Sequence, residues 1–129
     1  MLTTAGEGAE LIVPDATITV RISGKDTGGA YELFEVDAPR GEAVPPHRTP
    51  WPKAYYVLHG RMAVFLDGEL FDLSPGDAVT VPSNASHTFT VHTPSVQFLV
   101  FVVGEAMGAF FLDLSENGME ALARHGVTR

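Results

Sequence analysis

An all-β fold of many short strands is predicted by three features of the sequence. Thirteen glycines and nine prolines punctuate the 129 residues. Runs rich in Val, Thr, Phe and Leu alternate between the turn residues with period two. The turns between those runs are short, which favours a sandwich or a closed barrel.

ATITVRIS (16–23) alternates as a strand, and GKDTGG (24–29) ends it as a glycine-rich turn. YELFEVDA (31–38) is the next strand. AYYVL (54–58), HG (59–60) and RMAVFL (61–66) read as a hairpin, since a two-residue turn ending in glycine suits the positive φ angles of tight hairpins. His59 falls at that turn, in solvent. Asp67-Gly68 closes a second hairpin onto ELFDL (69–73), and SPGD (74–77) is a type I or II turn. AVTVP (78–82), HTFTVH (87–92) and SVQFLVFVV (95–103) complete the strands. ENGMEALARHG (116–126) departs from the pattern. It places Met119, Leu122 and Ala123 on one helical stripe, with Ser115 or Asn117 as N-cap and Gly126 as the stop.

The length fits a single domain spanning 1–129. Sixteen acidic against eight basic residues give a net charge of -8, which repels phosphate backbones and anionic membrane surfaces. Nucleic acid and membrane partners are therefore not expected. The absence of cysteine removes disulfides and thiolate metal sites and fits a cytoplasmic, reducing compartment. The opening thirteen residues lack a basic segment followed by an apolar run, so a soluble, unexported protein is expected.

HTFTVH is the most informative strand. Its alternation sets His87, Phe89 and Val91 on the inward face and turns His92 to water. An inward histidine needs a partner, because an unpaired buried polar group costs ~1–3 kcal/mol. Taken alone, such a histidine is more often a satisfied core residue than a ligand. His47, after Pro45-Pro46, brings a second imidazole toward the same interior, and two converging histidines point to a site.

At these residues the chain resembles the cupin superfamily, in particular small single-domain proteins related to quercetin dioxygenases. The first family motif, G-x5-H-x-H-x3-4-E-x6-G, is met by Gly41, His47 and Gly60. Thr49 stands in its second histidine place and Lys53 in its glutamate place. The second, G-x5-P-x-G-x2-H-x3-N, is met by Gly76, Pro82 and His87, with Asn84 and Val91 in the glycine and asparagine places. The resemblance covers about residues 31–103. It implies a double-stranded β-helix, a jelly-roll barrel with a pocket at one mouth, here with a short C-terminal helix at about 116–126, and a homodimer. It also implies a divalent metal held by three histidines and a glutamate.

Only His47 and His87 of that ligand set are present. A Lys53 ammonium repels a dication where a glutamate would neutralise one of its charges, and a neutral threonine hydroxyl is a weak ligand. Two imidazoles completed by water would bind Fe, Mn, Ni, Cu or Zn weakly, so a metal-free pocket is the favoured expectation. Glu32, Glu35 or Glu42 reaching in from neighbouring segments is the alternative.

Lys53 reads in two ways. It snorkels to the pocket rim or pairs with a carboxylate, or, with its pKa lowered by apolar walls, it serves as a base or forms a Schiff base. In the second case His47, Lys53, His87 and Tyr55 are the catalytic candidates. Thr49, Trp51, Val57, Phe89 and Phe101 are the substrate-binding candidates, Trp51 as a platform at the rim. Plain core packing is the competing reading for Tyr55 and Val57, and Pro50 and Pro52 turn 48–53 toward a loop.

The function expected is an enzyme acting on a small apolar, aromatic or carbonyl-containing metabolite. Its chemistry is isomerase- or cyclase-type acid–base catalysis, or that of a divergent dioxygenase. A non-catalytic small-molecule binder or sensor is the alternative. A purely structural dimerisation unit, presenting 95–103 or the helix at 116–126, is a third reading.

Overall fold

The computed structural model describes residues 1–41 and 43–129. Nine strands precede two helices: β1 Glu10–Val13, β2 Ala16–Ile22, β3 Tyr31–Pro39, β4 Lys53–His59, β5 Met62–Leu66, β6 Glu69–Leu73, β7 Ala78–Val81, β8 His87–Val91, β9 Ser95–Val103, α1 Ala106–Asn117 and α2 Glu120–Arg124. They form a six-stranded sheet in the order β1-β2-β3-β9-β4-β7 and a three-stranded sheet in the order β6-β5-β8. Adjacent strands run antiparallel.

The inward faces supply one core. Phe34, Val57 and Phe98 from the larger sheet and Met62 and Val64 from the smaller are fully buried. β9 shows the alternation, burying Val96, Phe98, Val100 and Val102.

The turn chemistry holds at two places. Asp67 (φ 48°) and Gly68 (φ 84°) both take positive φ between β5 and β6, as a two-residue hairpin turn requires. At Ser74–Asp77 the Asp77 amide donates to the Ser74 carbonyl at 2.9 Å, with Gly76 at φ 92° in the third place of the turn.

The expected hairpin over 54–66 is not formed. β4 pairs with β7 and β9 in the six-stranded sheet, and β5 pairs with β6 and β8 in the other. The His59-Gly60 corner carries the chain between the sheets. Gly60 is required there by close approach: a Cβ on it would lie 2.3 Å from the Ser95 carbonyl oxygen.

The expected helix over 116–126 is also corrected. Helix begins ten residues earlier and breaks at Gly118 (φ 65°), so Ser115 and Asn117 lie within α1 rather than capping its start. Met107, Phe110, Phe111 and Leu114 follow helical spacing and pack toward the barrel. Gly126 (φ 71°) does end the helical region. α2 is stitched to α1 by Asp113, which accepts two bonds from Arg124, at 2.8 and 2.7 Å, and lies 2.9 Å from His125 Nε2. α1 is fastened to the barrel by the buried carboxylate of Glu32, which accepts from the amides of Gly24 (3.1 Å) and Gly108 (2.9 Å).

β1, unforeseen from the sequence, extends the larger sheet through a turn at Pro14-Asp15. No helix among the described residues is long and apolar enough to cross a membrane.

Candidate functional site

β4 and β8 project their inward residues into a cavity of about 310 Å³ roofed by α1 and α2, at the small end of the ~300–1,000 Å³ usual for small-molecule sites. Lys53 and Tyr55 come from β4, His87 and Phe89 from β8, and His47 from the segment before β4. Phe98, Val100, Met107 and Phe110 supply apolar wall.

His47 is placed by backbone pairing. Its N–H donates to the His87 carbonyl at 3.0 Å, and the His87 N–H donates back at 2.9 Å. The Thr88 hydroxyl ties the preceding stretch down by donating to the Val44 carbonyl at 2.6 Å. The two imidazoles lie with ring centroids 4.5 Å apart.

His87 Nδ1 lies 2.9 Å from the Ala85 carbonyl and His47 Nδ1 lies 3.3 Å from that of Pro45. A carbonyl only accepts, so each Nδ1 carries the proton and each Nε2 keeps its lone pair. His87 Nε2 is fully buried and has no hydrogen-bond partner among the described residues.

Lys53 is only 8 % exposed, and its ammonium is in no ion pair among the described residues. Its Nζ lies 5.6 Å from the centroid of the Tyr55 ring. Burial lowers the Lys53 pKa to about 7, against an opposing pull from Asp15. Burial, and then the Lys53 charge, hold His87 down at about 3 and lower His47 as well. Burial first and Asp15 second push the Tyr55 phenol up. At neutral pH the site therefore holds two neutral imidazoles, a protonated phenol and an amine near its midpoint.

Thr49, Trp51, Val57 and Phe101 do not line the cavity. Thr49 is buried with its hydroxyl toward the Trp51 carbonyl at 3.4 Å. Trp51 is no rim platform: it is buried against Phe110, with ring centroids 5.6 Å apart. Pro50 and Pro52 make this stretch an irregular loop, so strand alternation does not carry through it. Val57 is core, one pleat beyond Tyr55. Phe101 is 45 % exposed on the outer face of β9 beside Tyr31, because Val100 and Val102 take the inward positions.

Two groups of lining residues were missed from the sequence. Asp15 reaches the cavity from the β1–β2 turn, where only the Pro14-Asp15 dipeptide between apolar runs marks it. The part of the roof that α1 supplies was missed because the helix was expected only from 116, although Gly104 (φ 84°) marks the end of β9; α2 falls within the expected helix.

Residues 34–104 match the cupin domain family. The chain belongs to the cupin family. This cupin is 26% identical over 113 residues to quercetin 2,3-dioxygenase of Bacillus subtilis (strain 168), an alignment covering 87% of the chain. It spans about a third (34%) of that relative's length. The structure resembles KdgF from a Halomonas species, with a TM-score of 0.71, 23% identity and coverage of 81% of this chain and 93% of that one. It also resembles the polyketide cyclase RemF from Streptomyces resistomycificus, with a TM-score of 0.62, 24% identity and coverage of 80% and 72%. At these identities the structural likeness establishes the fold.

The side chains of this cupin do not fit the four-ligand metal centre that the resemblance implies. Thr49 is turned away from the cavity and Lys53 brings an amine where a carboxylate is needed. No three His, Asp or Glu side chains converge as a metal site among the described residues. Glu32 is engaged by the Gly24 and Gly108 amides. Glu35 lies on the outward face of β3, between inward Phe34 and Val36. Glu42 is outside the described residues.

Proposed function

We propose that this cupin is an enzyme that moves protons on a small, largely apolar carbonyl compound, in the manner of an isomerase or cyclase. The observation that carries this reading is the Lys53 amine, in no ion pair among the described residues and near its midpoint at neutral pH, sharing an apolar cavity with His87 Nε2, which has no hydrogen-bond partner among those residues. An amine titrating near the working pH is a better base than an imidazole held at about 3.

In this reading neutral Lys53 removes the proton α to the carbonyl. The Tyr55 phenol donates to the oxygen as it gains charge, and the new ammonium faces the enolate. The neutral imidazoles accept from substrate hydroxyl or N–H groups and fix its orientation. The mainly apolar walls lower the local dielectric, which strengthens each of these interactions. The dioxygenase alternative is disfavoured by the donor set itself.

Phenylacetone in deuterated phosphate buffer tests the proposal. The wild-type chain is expected to accelerate α-deuteration, and Lys53→Met to reduce it by ~10²-fold or more, the usual contribution of a general base. Equal exchange with both proteins overturns the catalytic reading. Binding of phenylacetone without exchange favours a non-catalytic binder.

A further inference from the structure

We infer that Lys53 captures an aldehyde or ketone as a covalent imine in the cavity. This deepens the proposed function and rests on it for the identity of the site, but it assigns Lys53 a nucleophilic role that proton transfer alone does not require.

Four observations converge on the amine. Lys53 occupies the inward face at the start of β4, held between β7 and β9 by pairing with Val81 and Val102, so its stem is directed into the barrel. No carboxylate ties up its nitrogen in an ion pair among the described residues. The walls are mainly aliphatic and aromatic, which limits the water that would return an imine to amine and carbonyl. His87 Nε2 lines the same cavity with no hydrogen-bond partner among the described residues, so its lone pair is open to accept a hydrogen bond from the carbinolamine. Desolvation of the amine also keeps a large neutral, nucleophilic fraction at pH 7.

The neutral amine adds to the carbonyl carbon, forming the C–N bond while the carbonyl π pair moves to oxygen. A proton passes from nitrogen to that oxygen to give a carbinolamine. The hydroxyl then takes the C–O pair and a proton from solvent and leaves as water, and the remaining N–H proton passes back to solvent. One amine and one carbonyl compound yield one imine and one water, with no oxidant. Protonation of the imine from solvent gives an iminium whose α-hydrogen is acidic enough for a weak imidazole base.

Lys53 is one of only two lysines, and the other, Lys25, is exposed in a turn. The full chain is treated at pH 7 with benzaldehyde and cyanoborohydride, and the benzyl adducts are mapped by mass spectrometry. An ordinary lysine with a pKa of ~10.4 is neutral in well under ~1% of molecules at this pH. Benzylation of Lys53 is therefore expected to exceed that of Lys25 by ~10-fold or more. Labelling of Lys25 at an equal or higher level, or no label on Lys53, overturns the inference.

The two proposals fail separately. Lys53-dependent deuteration of phenylacetone without a Lys53 adduct removes the imine and leaves proton transfer. An adduct without deuteration supports covalent capture and removes the isomerase reading. Lys53→Arg, which keeps a cation but not the nucleophile, is expected to lose the preferential label.

Discussion

His47 and His87 exchange both backbone hydrogen bonds, at 3.0 and 2.9 Å, and hold their rings 4.5 Å apart at the cavity wall. This pairing joins the segment before β4 to β8. It sets two neutral imidazoles in the cavity that also holds Lys53, the amine in the family motif's glutamate place.

The first prediction concerns the cost of burying that amine. Below pH 7 Lys53 is protonated in both folded and unfolded chains, and the full desolvation penalty stands. Between about 7 and 10.5 the unfolded chain binds more protons than the folded one, so this contribution to stability rises with pH. Lys53→Met should be more stable than wild type by a few kcal/mol at pH 6, with the gap narrowing toward pH 10. Urea denaturation at the two pH values measures it; a gap that does not change with pH contradicts the buried amine.

The second concerns the imidazoles. The Lys53 charge is the second cause lowering both histidines, after burial. In Lys53→Met the His87 midpoint should move up from about 3, and that of His47 should also rise. Ring-nitrogen chemical shifts followed through an acid titration report both. Unchanged midpoints would show that the amine does not face the rings.

A third prediction separates the two sides of the barrel wall. Phe89→Ala removes a ring that packs in the cavity against Phe98, at 5.5 Å between centroids, and should weaken phenylacetone binding by ~10-fold, as loss of ~1.5 kcal/mol of apolar contact requires. Phe101→Ala alters only the outer face and should leave affinity within ~2-fold, the scale of a surface change. Calorimetric titration of both variants distinguishes the faces.

The strands and the inward phase of β8 were legible in the sequence because they depend on local alternation: His87, Phe89 and Val91 do face inward from HTFTV. Partnership between strands was not. Gly60 has the positive φ of a hairpin turn but is demanded by the approach of Ser95, far along the chain. Thr49 and Trp51 were misplaced because 48–53 is an irregular loop around Pro50 and Pro52, in which position along the motif does not fix the direction of a side chain. The role of Asp15 depends on the fold bringing the β1–β2 turn to the cavity, which no local pattern records.

The fourth prediction concerns the roof. Glu32→Ala deprives the Gly24 and Gly108 amides of their acceptor, and each buried unsatisfied group costs ~1–3 kcal/mol. The variant should lose ~2–4 kcal/mol of stability on that basis. Amide exchange in α1 should accelerate more than in β9 as the helix loosens from the barrel. Uniform acceleration in both would mean that Glu32 does not act as a local fastening.

The most direct measurement is the titration of Lys53 itself, followed through its side-chain Cε and Nζ resonances in the intact protein. A midpoint near 7 is predicted. A midpoint near ~10.4, the value of a solvated lysine, would place the amine in water and contradict the proposed chemistry.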